Sequence, residues 1–210
     1  MVPSQDVFYK RQLWLYSFCV NSAKTWKSYF YLYDEISGKK APNEVVSCIH
    51  DFLKNTLTPR VKTLQLFCDN CSAQNKNHVF LQFCSALVYN GYVFQIVQCF
   101  PEPVHSFLSC DRSFGIVEKE KRKRGRLYVP NDYVNLIRGS SSKFVVKEFD
   151  RDSILDYKSA LEKYFKKNVV GVGKKQFSIS KYRLFFHSDE YPGTVKCSNN
   201  ASGLCLEEFE

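Results

Sequence analysis

The chain has 210 residues, 44% of them hydrophobic and 24% charged, enough for one domain with a sizeable core and too few for two large ones. That balance excludes disordered, collagen-like and coiled-coil chains. The formal net charge of +9 points to an anionic partner. The longest uncharged stretch, 79–101, is interrupted by Gln82, Ser85, Asn90, Gly91, Gln95 and Gln98, so no membrane partner is expected. The opening MVPSQDVFYKRQ has no apolar run before a small-residue cleavage site, and nothing in it indicates secretion.

Residues 13–20 (LWLYSFCV) and 28–33 (SYFYLY) are short, aromatic-rich and separated by a polar turn, which predicts an antiparallel hairpin. Pro42 then opens a stretch with Val45, Val46, Ile49, Phe52, Leu53 and Leu57 at helical period, ended near Pro59. A buried strand over 61–68 runs into Asp69, a helix covers 74–89, and a strand covers 92–100, stopped by Pro101 and Pro103. A third helix is expected from His105 to about Lys121. Beyond it come a helix at 131–138, a strand at 143–149, a helix at 152–166 and a strand at 177–186. Alternation of this kind predicts an α/β protein with a mixed sheet, antiparallel first and parallel afterwards, flanked by helices. The expected division is a core over 8–126, a basic α+β extension over 127–190 packed on it, and a poorly ordered tail over 191–210.

Nine cysteines is an odd number, and Cys19, Cys68, Cys84 and Cys99 lie in apolar runs, which fits a reducing, intracellular compartment. Cys68-x-x-Cys71 has no second pair at zinc spacing. Charge is unevenly placed: residues 119–183 carry 18 Lys and Arg against 7 Asp and Glu. The densest point is KEKRKRGR, where Arg122, Lys123, Arg124 and Arg126 could contact phosphates, act as a nuclear import signal, or form a solvated helix end.

Ligand sites in open α/β sheets lie beyond the carboxyl ends of parallel strands. Asp69 ends one such strand and is followed by a loop dense in side-chain amides, Asn70, Gln74, Asn75 and Asn77, with Lys76 among them. A carboxylate there can bind a hard cation while the amides and lysine contact phosphate or sugar oxygens; an Asx-type cap on the next helix is the structural alternative. Beyond the following strand lie His105, Asp111 and Glu118. The two acids share a helical face but stand about 10 Å apart along the axis, so only one can serve a metal pair about 4 Å across. Asp111, nearer the strand end, is preferred.

The blocks FYKRQLWLYSF, YLYDEISGKKAPNEVVSCI, LFCDNCSAQNKN, PVHSFLSCDRSFGIVEK and LYVPNDY resemble an uncharacterised family of animal transposon-encoded proteins, themselves similar to DDE transposases with a ribonuclease H-like core. The resemblance covers about residues 8–150 and is most specific at DNCSAQNKN. It implies a ribonuclease H-like mixed sheet in which 13–20 and 61–68 are adjacent and parallel. It also implies metal-dependent cutting and joining of DNA with Mg2+ or Mn2+, Asp69 serving as second acid and Asp111 or Glu118 as third. Ala73 and Val104 stand where the family has Gly, and Ser17 where it has Asn. The first strand carries no carboxylate, so Glu35, beside Asp34, is the stand-in first acid. The alternative is a catalytically inactive, domesticated DNA-binding or nuclear protein-interaction module, with self-association left open.

Overall fold

The computed structural model describes residues 13–102, 108–124, 126–165, 176–200 and 206–209. Strands β1 (Leu15–Ser22) and β2 (Lys27–Asp34) form the expected hairpin, in register from Leu15 opposite Asp34 to Ser22 opposite Lys27. Helix α1 (Pro42–Thr56) follows, with Pro42 in its first turn, where a missing N–H costs nothing. Its Val45, Val46, Ile49 and Leu53 are buried, each contributing about 1.5–3 kcal/mol of transfer free energy. Strand β3 (Thr63–Phe67), helix α2 (His78–Tyr89), strand β4 (Gln95–Cys99) and helix α3 (Ser109–Lys123) come next. Helix α4 (Pro130–Ser140), strand β5 (Phe144–Glu148), the short helix α5 (Tyr157–Leu161) and strands β6 (Leu184–Ser188), β7 (Val195–Ser198) and β8 (Glu207–Phe209) complete the described chain.

The strands form two mixed sheets, one ordered β1-β2-β5 and the other β3-β4-β6-β7-β8. β2 pairs with β5 and β3 with β4 in parallel; the other ladders are antiparallel. The α/β class holds, but the single sheet does not. β1 and β3, expected side by side, lie in separate sheets. They meet through side chains instead: Phe18 of β1 and Leu64 and Leu66 of β3 pack into one core. Apolar alternation says which face of a strand is buried; it does not say which strand lies alongside.

That core also takes in α1, α2 and Leu161 of α5. The opposite face of the first sheet carries Cys19, Phe30 and Leu32 against Val117 of α3 and Val134, Leu136 and Ile137 of α4, with Phe30 meeting Phe114 edge-on at 5.4 Å. A third cluster, around Phe100, Tyr182, Phe185, Cys197 and Phe209, fills the second sheet. Residues read as an extension and a tail thus supply strands to both sheets, β5 to the first and β6, β7 and β8 to the second. Among the described residues no helix is long and apolar enough to cross a membrane.

Candidate functional site

Asp69 leaves the carboxyl end of β3 exposed, and its Oδ1 accepts from the backbone N–H of Cys71 at 3.0 Å and from Asn75 Nδ2 at 2.6 Å. The backbone N–H groups of Gln74, Asn75 and Lys76 converge on the Cys71 carbonyl oxygen at 3.2, 2.7 and 3.0 Å. Asn77 caps α2 by accepting from Phe80 N at 3.0 Å, while its amide donates to the Gln74 carbonyl at 2.9 Å. The amides therefore knit the loop as well as decorate it, and the Asx-cap alternative describes Asp69 and Asn77 as they stand. Asn70 Nδ2 donates to the Pro101 carbonyl at 2.6 Å, and Lys76 Nζ donates to Asn70 Oδ1 at 3.2 Å, 5.4 Å from the Phe100 ring centroid. Burial, then the nearby Arg183 charge, lower the Lys76 ammonium below the ordinary lysine range.

Asp111 lies in the first turn of α3, where its Oδ2 accepts from Leu108 N at 2.9 Å. Its neighbour Cys110 turns inward, and the thiol donates to the Cys19 carbonyl oxygen at 3.2 Å. The neighbouring Cys19 side chain holds the Cys110 thiol below the usual range, against burial, which pushes it up.

The remaining acids lie elsewhere. Glu118 is two helical turns on, about 10 Å along the axis, and pairs with Lys121 at 3.4 Å. Glu35 follows β2, its N–H bonded to the Trp14 carbonyl at 3.0 Å. Trp14 is five residues before Cys19, roughly 16 Å of extended strand, so Glu35 stands at the other end of β1 from Cys110. His105 lies outside the described residues. Among the described residues no group of three His, Cys, Asp or Glu side chains could hold a metal ion such as Mg2+ or Mn2+, Asp69, Asp111, Glu118 and Glu35 included. Every cysteine among the described residues is a free thiol.

Arg122 and Lys123 occupy the last turn of α3 and Arg124 its C-terminal cap, all exposed, as is Arg126. Cations there also suit the negative end of the helix dipole. Lys123 pairs with Glu120 at 2.6 Å within the helix. Sequence reading missed Arg183, which precedes β6 and reaches the edge where β4 ends, ion-paired with Glu102. Eighty-one residues separate the pair, so no local motif could reveal it.

Fold and site together describe an α/β protein whose parallel pair β3–β4 ends in a polar, cation-bearing edge. The chain belongs to the family described as "Domain of unknown function (DUF7869)", matched over residues 19–186. No curated protein and no solved structure matches it.

Proposed function

We propose that the chain is a transposase-derived module that binds nucleic acid, DNA in the first instance, through the phosphate backbone. The carrying observation is the exposed cluster of Arg122, Lys123, Arg124 and Arg126 at the end of α3. It sits in a segment with 18 basic against 7 acidic residues over 119–183. Such a cluster attracts phosphates without reading bases and releases condensed counterions on binding. The same run serves as a nuclear import signal in this reading, which makes the module nuclear. A ribonuclease H-like ancestry is supported only by the order of its parts, an antiparallel hairpin and then two parallel strands, since β1 and β3 lie in separate sheets rather than side by side. The test is fluorescence anisotropy of labelled duplexes of unrelated sequence against KCl concentration. Affinity should be similar for all of them and fall steeply with salt; weak binding with a flat salt dependence overturns the proposal.

A second reading, DDE-type metal-dependent DNA cleavage and joining, is favoured by one observation: Asp69 follows the carboxyl end of β3, and Asp111 lies in the first turn of the helix that follows its parallel neighbour β4. A divalent ion would supply charge neutralisation and an activated oxygen nucleophile. Mn2+-dependent strand cleavage that disappears in Asp69→Asn would establish it; its absence in the wild-type chain leaves the binding module.

A further inference from the structure

The edge at which β3 and β4 end continues past Asp69 into a hollow of about 360 Å3 lined by Glu102, Arg183, Asn199 and Asn200. Backbone pairing assembles it. Phe100 N bonds the Arg183 carbonyl at 2.8 Å and Arg183 N bonds the Ser198 carbonyl at 2.9 Å, so the end of β4, the start of β6 and the end of β7 lie side by side. Asn70 ties the Asp69 loop to the same edge through Pro101. Lys76, held by Asn70, feels the Arg183 charge. Arg183 is therefore held at a concave, amide-rich place beyond the carboxyl ends of parallel strands, where α/β proteins bind ligands, with Lys76 beside it over the Phe100 ring at 5.4 Å.

Glu102 is the carboxylate that pairs with Arg183, and its side chain is 57% exposed. An exposed ion pair of this kind is weak, and a carboxylate so exposed can turn to water. A phosphate offers the guanidinium fork a two-oxygen partner with more charge than a carboxylate. We propose that this hollow binds a phosphate group, with Arg183 as its principal contact and Glu102 as the carboxylate that the phosphate displaces. The proposal rests on the nucleic-acid reading above for its source of phosphate, the backbone of a bound strand. It adds a second contact region, built from residues before and after β6 and β7, to the basic end of α3.

Two variants should move in opposite directions. Arg183→Ala should weaken binding of a short single-stranded oligonucleotide about five- to tenfold and reduce the log–log salt slope by about 0.7, the value for one lost single-strand phosphate contact. Arg183→Lys should recover part of the loss, because it keeps the charge and loses the fork. Glu102→Gln should tighten binding about two- to fivefold by removing the competing carboxylate. Damage to folding by itself would weaken binding in both variants and cannot produce the tightening. Inorganic pyrophosphate, titrated by calorimetry, is the second probe. Oligonucleotide binding that ignores both residues overturns the hollow and leaves the α3 reading standing. Pyrophosphate binding that requires Arg183, without oligonucleotide binding, supports the hollow for a free phosphate compound and overturns the nucleic-acid reading. A chain that binds neither overturns both.

Discussion

The Cys110 thiol donates a hydrogen bond to the carbonyl oxygen of Cys19 across 3.2 Å, joining residues 91 positions apart in the chain. This contact holds the start of α3, where Asp111 lies, against β1. A second polar link lies one turn further along α3, where Ser113 Oγ meets Ser28 Oγ at 2.8 Å and Ser28 in turn accepts from Asn21 Nδ2 at 2.9 Å. Both links use small side chains, which let the helix approach the sheet closely.

Removing the first link should be measurable. Cys110→Ala deletes a thiol that packs against the core and leaves the Cys19 carbonyl without that donor, and should lower stability to urea by about 1–2 kcal/mol. Cys110→Ser retains a donor of similar reach and should lose less. Equal midpoints for the wild type and Cys110→Ala would show that the contact is incidental.

His187 gives a pH dependence of definite sign. Its ring is fully enclosed, with Nε2 3.1 Å from Gln98 Oε1 and Nδ1 2.9 Å from Ser85 Oγ. The Gln98 carbonyl can only accept, so Nε2 carries the proton and Nδ1 accepts from the Ser85 hydroxyl. Burial pushes the imidazole pKa down to about 3. An unfolded chain binds the proton near pH 6.5, so the unfolded state takes up more protons than the native one between the two values. Stability is fully present above that window and falls as pH drops through it, by up to about 1.4 kcal/mol per unit. Urea unfolding at pH 7.5, 5.5 and 4.5 should show this slope in the wild type and a flatter one in His187→Asn. Parallel slopes in the two proteins would exclude His187 as the source.

Asp69 separates structure from chemistry. Asn at this position keeps an Oδ1 to accept from Cys71 N and Asn75, so Asp69→Asn should melt within a few degrees of the wild type. Its DNA affinity should be unchanged or somewhat tighter, since an acid is removed from a cationic edge. Asp69→Ala leaves both donors without that acceptor and should cost about 1 kcal/mol. A large loss of DNA affinity in Asp69→Asn would mean that the carboxylate itself holds a bridging ion.

Changing Arg122, Lys123, Arg124 and Arg126 together to Ala should weaken binding to every DNA sequence alike, with the salt slope falling by about 0.9 for each of the four that touches a duplex phosphate. The fold should survive, because all four side chains are exposed. An unchanged slope would assign the cluster to nuclear import or to simple solvation of the helix end.

Local chemistry made much of this molecule legible in advance. Pro42 and the spacing of Val45, Val46, Ile49 and Leu53 announced α1, and the aromatic runs around a polar turn announced the β1–β2 hairpin. The Asp69 loop was legible as a site for the same reason, since its amides and carboxylate are contiguous in the chain. Boundaries drifted where helical period met competing turns. α3 begins at Ser109, where Asp111 can bond Leu108 N, and the helix expected over 152–166 breaks into a 3-10 turn at Arg151–Ser153, held by Asp150, and the five-residue α5.

What the chain order alone determined is therefore the kind of each element and the face it buries, because side-chain period and capping chemistry act over a few residues. Which strands neighbour one another was decided by the tertiary structure. β5 lies against β2 from more than a hundred residues away, and β1 and β3 end in different sheets whose side chains pack into one core. The gathering of Arg183, Asn199 and Asn200 beside Glu102 likewise depends on the β4–β6–β7 ladder. Backbone hydrogen bonds carry no record of residue type, so partner choice waits for the burial of all faces at once.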